Sequence, residues 1–300
     1  MGLFGVTCNS LIIYAFKKDK ASRSSFNLIC LFRACINLYV LITTFLIYFL
    51  PTAFLGYSLY NPVVEAFLII FSNTFYLGNE YQTILVAVNR FCALFKPLYY
   101  SKFFGFRPTL VALCMIYGYR FVSLFIQSFF YFKEDTPTDV QCFIFFSPEK
   151  LSWTLTEDPA CSEDDNILLV VSITFVTVLC LNIAIFTKII LYQKSTAREG
   201  RRITSAERRN IMLFLQTVLQ DSLYVIDLTF TFKLSGLSNA RLWTFISGTL
   251  VWESLHSLDG FIMILFNERL SFLRSLFRST PSFPVSETAP SAVTPLPRID

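Results

Sequence analysis

Mainly apolar runs long enough for a helix to cross a bilayer, about 20 residues, recur six times along the chain. They are Ser25 to Leu50, Val63 to Arg90, Thr109 to Phe132, Ile167 to Tyr192, Ile211 to Leu234 and Leu242 to Phe266. A seventh run, Leu3 to Phe16, covers only about 21 Å at 1.5 Å per residue. No basic segment precedes it and no small-residue cleavage site follows it, so it does not read as a signal peptide. The opening Met1-Gly-Leu-Phe-Gly-Val also lacks the Ser or Thr of a myristoylation signal. It reads as the inner part of a first membrane helix whose outer end is missing or clipped. After the last run, Glu268 to Arg278 places Leu270, Leu273, Leu276 and Phe277 on one helical face, with Arg269, Arg274 and Arg278 largely off it. That pattern predicts a short amphipathic helix lying along the membrane. Residues 279–300 carry five Pro and no periodicity, which predicts a disordered tail. The expected organisation is therefore a seven-helix domain with its juxtamembrane helix over 1–278 and a tail over 279–300.

Composition agrees with a membrane protein. Hydrophobic residues make up 54% of the 300 and charged residues 15%, where soluble domains have about 25% charged. Too few ionised side chains remain to coat a soluble enzyme, a disordered chain or a basic nucleic-acid binder. The net charge of +4 decides nothing, but the placement of the charges does. Lys17, Lys18, Lys20 and Arg23, then Lys96, Lys102 and Arg107, then Lys194, Arg198, Arg201, Arg202, Arg208 and Arg209 follow runs one, three and five. The positive-inside rule then puts the N-terminus outside and the C-terminus inside. An all-α bundle of seven spans is the predicted fold.

At the inner end of run three stands Asn89-Arg-Phe-Cys-Ala-Leu-Phe-Lys-Pro-Leu-Tyr-Tyr100. It resembles the D-R-Y-x-x-x-x-x-P-L-x-Y stretch of G-protein-coupled receptors, with Arg90, Pro97, Leu98 and Tyr100 in register. Asn9-Ser-Leu-Ile is similar to the G-N-x-L-I of their first helix, Asn37 falls at the polar position of their second, and Asp259-Gly-Phe-Ile-Met resembles N-P-x-x-Y of their seventh. The stretches from Asn89 to Lys102, Phe214 to Leu223 and Val251 to Met263 resemble the nematode serpentine chemoreceptors of class X. Three departures stand out. Asn89 replaces the acidic residue that restrains the Arg, the W-x-P of helix six is absent, and Glu65 lies where the superfamily carries its loop-bridging Cys.

The resemblance implies a chemosensory receptor that binds a small-molecule cue and activates a heterotrimeric G protein at the plasma membrane, in sensory cilia for this branch. For coupling it implies Arg90, Lys96, Pro97 and the third-loop Arg201, Arg202, Arg208 and Arg209. Those arginines equally serve as the topology signal.

Ionisable groups at bilayer depth are functional candidates because their burial is costly; here they are Arg33, Glu80, Arg120, Asp221, Asp227, Glu253 and Asp259. Counting helical turns from Arg90 predicts an outward-open pocket lined by Ser72, Tyr76, Asp227, Thr249, Trp252 and Glu253. Its carboxylates and aromatics suit a small polar or cationic ligand. A deeper layer joins Arg33, Asn37, Asn79, His256 and Asp259, with Arg33 expected to pair with Asp259, to stand where related receptors hold sodium and so to leave no sodium requirement at this layer. Cys142 and Cys161 alone fall in an outer loop, the oxidising side, so theirs is the one disulfide expected, with two free thiols as the alternative. That loop, 133–166, holds nine acids and two Lys. A single His and scattered Cys predict neither metal nor cofactor and give no enzyme constellation. A transporter, a channel or a nonfunctional receptor copy remain the alternatives; oligomeric state is open.

Overall fold

The computed structural model describes residues 1–18, 24–133, 144–155, 165–200 and 204–266. Cys142, Cys161, Arg201, Arg202, the helix expected at 268–278 and the tail at 279–300 lie outside the described residues. Within them, seven long helices follow the seven apolar runs. Helix one is Gly2–Lys18, helix two Ser25–Leu55, helix three Pro62–Phe95, helix four Phe106–Lys133 and helix five Asp165–Arg198. Helix six is Ser205–Thr229, prolonged by a wide turn over Phe230–Leu234 and a tight one over Ser235–Leu237. Helix seven is Arg241–Phe266. A short helix, Pro97–Phe103, joins three to four. A hairpin of β1, Ile144–Ser147, and β2, Ser152–Leu155, lies at the opposite end and pairs Phe146 with Trp153.

Length and apolarity alone qualify five helices to cross a membrane, and helices one and three are not among them. Helix one has 17 residues. Helix three has 34 but carries Asn79, Glu80, Gln82 and Asn89, all buried. Its position explains its polarity, because it packs against helices two, four, five and six and has little face left for lipid. Helix four shows the opposite pattern. Val111, Met115, Tyr119, Val122 and Phe125 stand exposed at spacings of three and four, the stripe that hydrocarbon, not water, would cover.

Helix two outlasts its expected end at Leu50 because Pro51 is absorbed instead of breaking it. Proline lacks the N–H that would bond to Ile47 O. The helix widens over Leu41–Phe49, and the Tyr60 hydroxyl donates to Ile47 O at 3.1 Å. Gly56, at φ 78°, then ends it in a left-handed cap.

Helix one packs between helices two and seven, and Gly260 decides how closely. A Cβ there would lie 2.7 Å from Asn9 Nδ2. The fully buried Asn9 amide instead donates to Gly5 O at 2.9 Å and to His256 O at 3.2 Å. Gly260→Ala is expected to destabilise by about 1–3 kcal/mol through overpacking. Gly118→Ala, whose Cβ meets nothing within 4 Å, serves as the neutral-to-stabilising control. Melting temperatures of the purified proteins, compared side by side, give the test.

Candidate functional site

The hairpin is held in the mouth of the bundle from two sides. Three donors on helix seven reach its turn: Arg241 Nη2 to Pro148 O at 3.3 Å, Thr244 Oγ1 to Lys150 O at 2.7 Å and Thr249 Oγ1 to Leu151 O at 2.8 Å. From helix three, Glu65 Oε1 accepts the Phe146 N–H at 3.0 Å, while Oε2 accepts the Ser58 hydroxyl at 3.1 Å. Glu65 thus links helix three to the hairpin by hydrogen bond, with both carboxylate oxygens engaged. Trp153 drops inward among Tyr48, Phe146 and Trp252, with ring centres 5.4, 5.0 and 6.3 Å away.

This plug corrects the single open pocket expected from turn counting. Ser72, 1% exposed, faces helix two, where it meets Thr44 at 3.1 Å and Thr43 at 3.4 Å. Tyr76 donates its hydroxyl to Asp227 Oδ2 at 2.7 Å, closing helix three onto helix six. Only Thr249, Trp252 and Glu253 share a cavity, with Thr44, Trp153 and His256. It holds about 10 Å³, room for about one water. Turn counting placed helices but not the loop above them, and Phe146 and Trp153 fill the space it left. The Glu253 carboxylate lies 3.9 Å from the Met1 amine. The wide turn Ile246–Leu250 in helix seven sets the angle of this face, as such bulges often do at functional sites.

Below the cavity the deeper layer forms one connected network. Asn37 Nδ2 donates to Asp259 Oδ2 at 2.6 Å and to Asn9 Oδ1 at 3.4 Å. Its Oδ1 accepts Asn79 Nδ2 at 3.3 Å and faces His256 Nδ1 at 2.8 Å. Since that oxygen can only accept, His256 carries its proton on Nδ1, and Nε2 is a buried acceptor without a partner among the described residues. The His256 ring also meets Trp252 at 5.5 Å and Tyr76 at 6.1 Å, joining the cavity to the network.

Arg33 Nε lies 3.0 Å from Asp259 Oδ2, with both side chains at most 3% exposed, and its guanidinium sits 4.9 Å from the centre of the Tyr224 ring. Four members were not singled out from the sequence. Gln220 Nε2 donates to Asp259 Oδ1 at 2.8 Å and is itself met by Gln216 at 3.3 Å. The Tyr117 hydroxyl reaches Asn79 Oδ1 at 2.8 Å and Gln82 Oε1. Two glutamines four apart inside an apolar run were the available signal for the first pair, since unsatisfied amides are costly there.

At the other end, Arg90 is buried with its Cζ 3.6 Å from the centre of the Phe26 ring. Its Nε and Nη2 have no hydrogen-bond partner among the described residues. The Asn89 side chain is engaged elsewhere. Asn89 Nδ2 donates to Ser25 Oγ at 3.3 Å and Oδ1 accepts the Tyr100 hydroxyl at 3.3 Å, while Ser25 and Tyr100 lie 2.9 Å apart. This triangle ties helices two and three to the short helix that starts with Pro97 at its first turn. Lys96, Pro97, Arg208 and Arg209 are exposed.

The profile of a protein family described as serpentine type 7TM GPCR chemoreceptor Srx matches residues 1–267 of the chain. A relative, serpentine receptor class X 45 of Caenorhabditis elegans, is 27% identical over 311 residues, an alignment that covers 95% of this chain and 81% of the relative.

Proposed function

Because the chain belongs to the Srx family of serpentine seven-transmembrane G-protein-coupled chemoreceptors, a family of multi-pass membrane proteins, we propose that it detects a small polar or cationic cue at its hairpin end. It then activates a heterotrimeric G protein at its Arg90 end. The N-terminus and hairpin face outward at the plasma membrane, and the basic loops face the cytoplasm, as the Lys and Arg distribution favours.

The observation that carries this reading is the continuity from cavity to core. Trp252 and Glu253 line the cavity, His256 lies one turn below them, and its Nδ1 meets Asn37, which bonds Asp259. Asp259 in turn accepts Gln220 on helix six. A cue that displaces Trp153 shifts the hairpin, which is anchored on helices three and seven, and with it the balance between two arrangements of this network. The aromatic walls and the Glu253 carboxylate favour an ammonium or another strong donor.

The test is expression with a G-protein reporter, screened against small amines and neutral volatiles. Glu253→Gln is expected to raise the half-maximal concentration for a cationic cue about tenfold, the worth of roughly 1.4 kcal/mol, and to leave a neutral cue unaffected. Unchanged dose-response curves for Glu253→Gln and Trp252→Ala alike would move the cue out of this cavity.

A further inference from the structure

A second cavity lies in the middle of the bundle between helices three, five and six, apart from the hairpin cavity and bordering the Asp259 network through Tyr224, whose ring stacks on Arg33. It holds about 30 Å³ and is lined by Glu80, Thr83, Thr174, Asp221 and Tyr224 over an apolar wall that includes Phe175. Glu80 is 18 residues from one end of helix three and 15 from the other, so the cavity sits far from both membrane faces.

Three polar atoms at this cavity are buried without a partner among the described residues: Glu80 Oε1, Asp221 Oδ1 and the Tyr224 hydroxyl. Glu80 and Tyr224 are each 5% exposed. The second oxygen of Asp221 accepts Asn182 Nδ2 at 2.8 Å, which fixes the carboxylate between helices five and six. The nearby guanidinium of Arg120 is turned elsewhere, with its Nε at 3.5 Å from Thr74 O and its Cζ 5.9 Å from the centre of the Tyr81 ring. Arg33 is committed to Asp259 at 3.0 Å. Two carboxylates therefore share a water-sized chamber that no cationic side chain lines among the described residues, in a region where an uncompensated charge is costly. The contrast with Asp259 is direct, since its charge is met by an arginine of the same chain.

We propose that this chamber is a binding site for one compact monovalent cation, either an inorganic ion or a primary ammonium group. Glu80 and Asp221 are its carboxylate ligands, the Tyr224 hydroxyl is a further oxygen, and the Phe175 side wall lies beside it. The volume of about 30 Å³ suits a single ion or a small primary ammonium better than a quaternary ammonium. Bound there, the cation draws helices three, five and six together, so it favours whichever arrangement keeps Glu80 and Asp221 close. The proposal does not depend on the cue cavity, because its residues and its test are separate.

The experiment measures thermal unfolding of the purified full chain in detergent, titrated with sodium chloride, methylammonium chloride or choline chloride at matched ionic strength. A ligand at about a hundred times its Kd is expected to raise the melting temperature by about 5 °C, saturably, for sodium or methylammonium and not for choline. The response is lost in Glu80→Gln and in Asp221→Asn and kept in Glu253→Gln. A shift with sodium alone identifies an inorganic-ion site, and a larger one with methylammonium identifies an amine site; both support the proposal. A wild-type chain insensitive to both cations overturns it, as does an equal effect of choline or a shift that survives in Glu80→Gln. A response lost only in Glu253→Gln also overturns it, by placing the cation under the hairpin. None of these readouts uses G-protein signalling, so loss of the proposed function leaves the result intact.

Discussion

Asp259→Ala is expected to destabilise the protein by about 3–5 kcal/mol, the range for breaking one side of a buried ion pair, and to remove most of it from the cell surface. The carboxylate accepts two amide donors, Asn37 Nδ2 at 2.6 Å and Gln220 Nε2 at 2.8 Å, and forms an ion pair with Arg33, whose Nε lies 3.0 Å away. Its loss leaves a guanidinium buried beside the Tyr224 ring with no counter-charge, and two amides without their acceptor. Asp259→Asn keeps an acceptor for one amide but not the charge, so it should fall between Ala and wild type. The discriminating experiment adds Arg33→Met to Asp259→Asn. If the unpaired cation is the main cost, the double variant is more stable than Asp259→Asn alone, although it has lost one more native side chain. Surface labelling of intact cells and melting temperatures in detergent report the two effects. Wild-type values for Asp259→Ala would strip the pair of any structural importance.

Arg90→Ala carries the second large effect, and it points the other way for stability. Arg90 is buried with Nε and Nη2 unpartnered among the described residues and lies over Phe26 instead of against a carboxylate. Removing it relieves a poorly compensated cation, so the melting temperature should hold or rise. Coupling should fall, because a charged donor delivered to a partner protein is worth about 1.5–3 kcal/mol, roughly 10- to 100-fold in affinity. Reporter response and thermal stability measured on the same preparations separate the two. A full agonist response in Arg90→Ala would contradict the coupling role. The Asn89, Ser25 and Tyr100 triangle makes a related point. It restrains the inner end of helix three through Asn89, the neighbour of Arg90, where an acidic residue would have held the arginine itself.

The elements were legible in the sequence to different degrees, for reasons visible in particular residues. Leu3 to Phe16 and Val63 to Arg90 stood out least by hydropathy, yet both are helices. The second is polar because it occupies the centre, and its Asn79, Glu80, Gln82 and Asn89 face other helices. Depth along each helix was readable from 1.5 Å per residue, which is why Arg33, Asn37, Asn79, His256 and Asp259 could be assigned one level. Lateral neighbours were not readable. Ser72 and Tyr76 sit one turn apart on helix three but turn to helices two and six respectively. Gln216 and Gln220 carry no charge and so escaped notice, although an amide in hydrocarbon also demands a partner. The hairpin was missed because four-residue strands leave almost no period. Its anchors, Glu65, Thr244 and Thr249, bond to backbone atoms, which no side-chain pattern records.

What the sequence determined by itself was the membrane as solvent and the number of long helices. These follow from local quantities: run length, apolar content and distance along a helix. What the tertiary structure decided was partnership. Arg33 pairs with Asp259, Glu65 holds the hairpin, Trp153 closes the cavity, and Glu80 and Asp221 share a chamber that no cationic side chain lines among the described residues. Each of these depends on which helices lie side by side and how they are rotated. That is set by packing at positions such as Gly260 and Pro51, where one missing Cβ or one missing N–H decides how near a neighbour comes.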